Sequence, residues 1–161
     1  NRYATAIKKG IMQSMTEGPL TGSNCQNIRV CIYDGKMHAV DSNDISFQLA
    51  ASHAFKEAFN EARPQLLEPY YQLEVLCEDA YTGDVMGDLQ TRRAIIQGMD
   101  TDGHYQKIIS EVPLAELKDY GSTLRSLTQG KAKFKLEFSN YQLVPTHVQE
   151  SLVISNAVLS E

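Results

Sequence analysis

The chain has 161 residues, room for one medium domain or two small ones, and its 42% hydrophobic and 22% charged content is that of a folded protein rather than a disordered or collagenous one. Fifteen Lys and Arg against 20 Asp and Glu give a net charge of −5, without the basic excess of a generic nucleic-acid binder. No apolar run approaches the ~18–20 residues needed to cross a bilayer, which excludes a helical membrane span.

The charge is unevenly placed. Residues 1–67 carry seven basic and six acidic side chains, net +1, whereas residues 68–161 carry eight and fourteen, net −6. Any RNA contact is therefore expected to rest on local patches or shape. The opening Asn1-Arg2-Tyr3-Ala4 lacks an initiating Met and a signal core and starts directly in helical periodicity, as expected of a piece of a longer chain. Cys25, Cys31 and Cys77 form no C-x-x-C pair and lie near no histidine in a zinc pattern, so a reduced, cytosolic chain is expected.

Tyr3, Ile7, Ile11 and Met15 recur every fourth residue, with Ala4 and Met12 widening the stripe, and predict a helix that Gly18-Pro19 stops. Ile28, Val30 and Ile32 alternate with Arg29 and Cys31, which predicts a strand over 27–33. Asp34-Gly35 is a hairpin signal, with 36–40 as the short returning arm. Asp41-Ser42-Asn43-Asp44 supplies helix-starting oxygens for a helix running to Ala62, with Ile45, Leu49, Phe55, Ala58, Phe59 and Ala62 inward. Pro64 ends it, and residues 65–69, between two prolines, read as the linker.

Beyond the linker, short strands alternate with helices. Tyr71, Leu73, Val75 and Cys77 share one strand face. Residues 81–93 read as a turn and helix with Tyr81, Val85, Met86 and Leu89 inward, and Gly83 and Gly87 are expected to mark tight packing on a sheet. Strands at 94–99 and 105–112 flank Asp100-Thr101-Asp102-Gly103; a helix over 115–128 turns Leu117, Tyr120, Leu124 and Leu127 inward. In the last strand Ala132, Phe134, Leu136 and Phe138 oppose Lys131, Lys133, Lys135 and Glu137. A helix after Pro145 offers Val148, Leu152 and Val153 for docking. The order over 70–144 is β-α-β-β-α-β, the ferredoxin-like arrangement, so the fold class is α+β. The three lysines lie about 7 Å apart on the open sheet face or its edge. They read either as edge-protecting, solvated charges or as a row that tracks phosphates.

Motifs for catalysis are missing. Neither Gly35-Lys36 nor Gly130-Lys131 belongs to a phosphate-binding loop, and His38, His53, His104 and His147 form no H-E-x-x-H. Asp84 and Asp88 stand four apart on one helical face, where the macrodipole alone favours carboxylates and where a cation site is the alternative. Arg92-Arg93 ends the same helix, where cations suit the dipole. His38, beside a tight turn, is expected to be exposed.

Several strings in order, Asp34-Gly35, His38, Val40-Asp41-Ser42, Ala54-Phe55-Lys56-Glu57-Ala58, Leu66-Leu67-Glu68-Pro69, Gly83-Asp84-Val85-Met86-Gly87-Asp88-Leu89, Arg92-Arg93, Val112-Pro113-Leu114-Ala115-Glu116 and Leu124-Arg125-Ser126-Leu127-Thr128-Gln129-Gly130, resemble the C-terminal end of elongation factor G. The resemblance runs from Tyr3 to about Val153. It implies that residues 1–67 are the second half of domain IV, a helix-strand-helix remnant of a two-layer domain. Residues 68–161 would be domain V, ferredoxin-like, with a C-terminal helix.

By the same resemblance the partner is the ribosome: rRNA near the GTPase-associated region and sarcin–ricin loop, and A-site tRNA and mRNA near the decoding region. His38, Asp41 and Ser42 would form the contacting tip loop, and Arg92, Arg93, Lys131, Lys133 and Lys135 are candidate rRNA contacts. The fragment itself would be non-catalytic, cytoplasmic and free of cofactor, with GTP and Mg²⁺ confined to the parent's upstream domain. Met37, Ala39 and Ala94 depart from the family's usual Tyr, Asp and Gly, which leaves open a tetracycline ribosomal-protection factor or a divergent paralogue. An acylphosphatase-like enzyme, with Arg92 or Arg125 holding an anion, is the alternative from another class. The fragment is also expected to dimerise through the exposed edge of strand 27–33.

Overall fold

A computed structural model describes residues 2–159. Two compact units emerge: Asn1–Gln65 together with Pro145–Glu161, and Leu66–Val144. The first holds α1 (Ala4–Thr16), α2 (Asp44–Glu61) and α5 (Thr146–Leu159). The second runs β1 (Leu67–Glu78), α3 (Thr82–Thr91), β2 (Ile95–Asp102), β3 (Tyr105–Pro113), α4 (Tyr120–Leu127) and β4 (Ala132–Leu143). The C-terminal helix, grouped with the second module on sequence, thus clusters with the first.

In the first unit α1 lies against α2 along small residues. Its buried positions are Ala6, Gly10 and Ser14, one i±4 ridge. A Cβ on Gly10 would overlap the Gln48 carbonyl, so the two backbones approach as only glycine allows. Ser14 Oγ donates to the Gly10 carbonyl at 3.1 Å and lies 2.6 Å from Ser52 Oγ. This corrects the expected α1 stripe: Ile7, Ile11 and Met15 flank the contact half-buried, Ala4 is exposed and Met12 is 54% exposed. On α2, Phe55 is buried but Ile45 and Leu49 face outward, against expectation. Asn43 starts α2, its Oδ1 accepting the Ser46 N–H at 2.8 Å. In α5, Val148 and Val153 are half-buried and Leu152 is exposed.

Residues 27–33 are not a strand, and the hairpin at 34–35 with its returning arm at 36–40 is not formed. Ile28, Val30 and Ile32 alternate as a strand would, but a strand exists only where its N–H and C=O groups meet a partner. Among the described residues nothing pairs with this segment.

The second unit is a four-stranded antiparallel sheet in the order β2-β3-β1-β4, the ferredoxin-like βαββαβ topology. β1 starts at Leu67 and includes Pro69, so the expected linker at 65–69 is largely strand. Leu73, Val75 and Cys77 of β1, Ile108 and Val112 of β3, Val85 and Leu89 of α3, and Tyr120 and Leu124 of α4 form the core. Each fully buried Leu or Ile there stabilises by about 1.5–3 kcal/mol relative to exposure.

Two sequence expectations change here, and a third holds. A Cβ at Gly83 or Gly87 would meet nothing, so neither glycine serves close packing. The helix expected over 115–128 is broken. Leu114–Leu117 form a 3₁₀ turn, Asp119 adopts φ +57°, and α4 starts only at Tyr120. Finally, the register Val75↔Phe134, Leu73↔Leu136 and Tyr71↔Phe138 puts the apolar row of β4 on the helix side, as expected. Yet Phe134, Leu136 and Phe138 remain 36–52% exposed, because β4 is an edge strand and the eight residues of α4 reach only the Phe134 end.

Candidate nucleic-acid interface

In the first unit the loop before α2 gathers three residues singled out in the sequence. His38 and Asp41 are 77% and 81% exposed, with Nδ1 3.5 Å from Oδ2. The His38 backbone N–H donates to Ser42 Oγ at 2.7 Å, while the Ser42 carbonyl accepts from the Tyr3 hydroxyl at 2.9 Å. Tyr3, at the start of α1, stacks on Phe47 in the first turn of α2, with ring centres 4.3 Å apart and planes inclined by 11°. The outcome is a projecting imidazole on a loop with a fixed base. Such a group can stack on a base or hydrogen-bond to sugar and phosphate, with no proton transfer required. Met37 and Val40 are exposed beside it.

The two arginines after α3 are held inside the second unit. Arg92 Nε donates to Asp88 at 2.8 Å, Nη1 to the Glu116 carbonyl at 2.6 Å, and Nη2 to Thr123 Oγ1 at 3.2 Å. Its guanidinium also lies 5.1 Å from the Tyr120 ring centre. Arg93 sits at φ +56°, and the Ala94 N–H reaches back to the Leu89 carbonyl at 3.1 Å, a Schellman-type helix end. It donates two bonds to Glu68, at 2.8 and 3.0 Å, and one to Glu116 at 2.9 Å. The hydrogen bonds to Glu68, then Glu116, hold its guanidinium above the ordinary arginine range against the cost of burial. Both side chains therefore serve the packing of β1, α3 and the 3₁₀ turn. Arg92, engaged on every side, forms no anion-holding loop of the acylphosphatase kind. Asp88, bound to Arg92, is unavailable for a cation pair with Asp84.

Lys131, Lys133 and Lys135 line one side of β4 among carboxylates. Lys131 lies 3.4 Å from Glu78 and Lys135 2.6 Å from Glu137, whose hydrogen bond raises the Lys135 ammonium above its usual range. Lys107 of β3 pairs with Glu74 at 3.2 Å. The open sheet face is thus mixed in charge, and Lys133 is the member of the row without an ion pair among the described residues.

Between α4 and β4 runs a groove of about 360 Å³ lined by Gly121, Leu124, Arg125, Gly130, Ala132, Lys133 and Phe134. Leu124, Ala132 and Phe134 give it an apolar part and Arg125 a cation, a combination suited to a base and its phosphate, while Lys133, paired in register with Leu76, alternates to the other face of β4 and only borders the groove. Gln129 and Gly130, at φ +53° and +78°, close α4 and open the groove's end. On sequence Arg125 stands out only as an anion ligand. The signal that could find the groove is the Gln129-Gly130 helix stop followed by the lysine strand.

Neither Gly35-Lys36, in irregular chain, nor Gly130-Lys131, at the close of α4, is a phosphate cradle, so no nucleotide chemistry is assigned to these residues. Among the described residues, no cluster of three His, Cys, Asp or Glu side chains could hold a metal ion. Nor is any described helix long and apolar enough to cross a membrane.

Comparison with known proteins covers most of the chain. The family "Elongation factor G, domain IV" matches residues 1–63, and "Elongation factor G C-terminus" matches residues 65–152. Elongation factor G of Thermotoga neapolitana is 43% identical over 94% of this chain, and that of Aquifex pyrophilus is 44% identical over 94%. The chain spans only 22% of the length of either relative. A crystal structure of a Thermus thermophilus protein superposes with a TM-score of 0.83 at 43% identity, covering 97% of this chain and 24% of that one.

Proposed function

This chain belongs to the elongation factor G family, and on that premise we propose that it is the ribosome-contacting end of a factor that moves tRNA and mRNA through the decoding region. The single observation that supports this reading most is the exposed His38 on a loop anchored at Ser42. In this reading the first unit presents His38, with Asp41 and Ser42 at its base, to A-site tRNA and mRNA. The second unit meets rRNA through Arg125 of the groove, with Lys133 at its border. GTP hydrolysis, with its Mg²⁺, belongs to other parts of the cytoplasmic polypeptide that carries this chain, and these residues contribute shape and contacts only.

The test is single-round translocation by the intact polypeptide with His38→Ala. A loss of rate with ribosome-stimulated GTP hydrolysis unchanged supports the reading, and wild-type translocation removes it. Met37 and Ala39, which flank the imidazole, favour a second arm of the same experiment. If the protein releases tetracycline from ribosomes but does not translocate, it is a protection factor using the same loop.

A further inference from the structure

Loop 34–42 hangs on one distant side chain. Among the described residues, the hydrogen bond from Tyr3 Oη to the Ser42 carbonyl, at 2.9 Å and across 39 positions in sequence, is the only one that ties this loop to another element. The remaining bonds within it are local: Gly35 N–H to Asp34 Oδ1 and His38 N–H to Ser42 Oγ. Tyr3 is itself clamped from the other side by its stack on Phe47, which the Phe47 N–H bond to Asn43 fixes in the first turn of α2 at 3.1 Å. The chain of contacts is thus Phe47 ring, Tyr3 ring, Tyr3 hydroxyl, Ser42 carbonyl, Ser42 hydroxyl, His38 amide.

We infer that Tyr3 is a positioning residue for the tip loop: it sets where His38 stands by holding Ser42, and touches no partner itself. This rests on the reading of His38 as the contacting group. Physically, Ser42 is the only residue of the loop that bonds both outward and inward, so fixing its carbonyl fixes the peptide plane from which its side chain caps His38. Releasing the carbonyl to water leaves the fold of α1 on α2 intact, since Ala6, Gly10 and Ser14 make that contact. It lets His38 sample positions away from its target, a loss of preorganisation.

The experiment uses Tyr3→Phe, which keeps the ring and its stack and removes only the hydroxyl, alongside His38→Ala and the double variant. In this chain, amide exchange at His38 is expected to quicken in Tyr3→Phe with the melting temperature unchanged. In the intact polypeptide, translocation is expected to slow by roughly two- to tenfold, the value of one net hydrogen bond, while GTP hydrolysis stays at the wild-type rate. The double variant is then expected to match His38→Ala alone, because a positioning residue has nothing left to position. Tyr3→Phe at the wild-type rate, with His38→Ala slowed, overturns the inference and leaves the functional reading standing. Multiplying effects in the double variant overturn it too, since Tyr3 then acts by another route. His38→Ala at the wild-type rate overturns both.

Discussion

Arg93 grips Glu68 through two parallel hydrogen bonds, Nη1 to Oε1 at 2.8 Å and Nη2 to Oε2 at 3.0 Å, and so ties the end of α3 to the start of β1. Glu68 is 8% exposed, so removing Arg93 leaves a nearly buried carboxylate without its counter-ion, whereas removing Glu68 leaves Arg93 only its bond to Glu116. Glu68→Gln is expected to destabilise the second unit by about 1.5–3 kcal/mol, the range for a charge-assisted hydrogen bond. Arg93→Lys, which cannot keep the fork geometry, should recover little of the loss of Arg93→Ala. Urea unfolding of the three variants measures this.

Glycine substitutions should divide by element. Gly10→Ala drives a methyl into the Gln48 backbone and is expected to cost about 1–3 kcal/mol in overpacking. Gly83→Ala and Gly87→Ala sit in α3 with open space around them, and each should stabilise by about 0.5–1 kcal/mol through helix propensity. Thermal melts of the three single variants would show opposite signs.

Alkali should loosen the second unit through its buried acids, Cys77 and Tyr120 among them. Burial raises the Cys77 thiol above its usual 9.0, and burial, then Asp88, raises the Tyr120 phenol. Each folded-state pKa exceeds the unfolded one, so the folded state binds more protons between the two values. Stability is complete below the unfolded value and falls as pH rises through the window above about 9. The Tyr120 hydroxyl has no hydrogen-bond partner among the described residues, so Tyr120→Phe is expected to be neutral or stabilising near pH 7. It should also flatten the alkaline decline, read as unfolding free energy against pH.

Salt dependence separates the candidate cations. Arg125 lines the groove and Lys133 borders it, whereas Lys131 and Lys135 are paired with Glu78 and Glu137. Arg125→Gln should weaken binding of the chain to ribosomal RNA and lower the salt slope by about 1, as loss of one phosphate contact does. Lys135→Gln should change the slope much less. A titration across a series of salt concentrations decides between them.

What the sequence determined is whatever depends on near neighbours. The βαββαβ order, the inward faces of β1 and α3 and a helix start within Asp41-Ser42-Asn43-Asp44 all follow from periodicity or turn chemistry within a few residues, whereas the grouping of His38, Asp41 and Ser42 is what the family resemblance implies. Family strings added the ribosomal reading. Tertiary structure decided the rest, because each remaining feature needs a partner far along the chain. The alternation at 27–33 yields no strand without one. The α1 contact follows Ala6, Gly10 and Ser14 because α2 approaches closely there. The break at Asp119 leaves the Glu116 and Lys118 carbonyls to be met by Arg92, and Tyr3 finds Ser42 across 39 positions. Periodicity reports which side of an element is apolar, but burial and hydrogen bonding also depend on what the folded chain brings against that side.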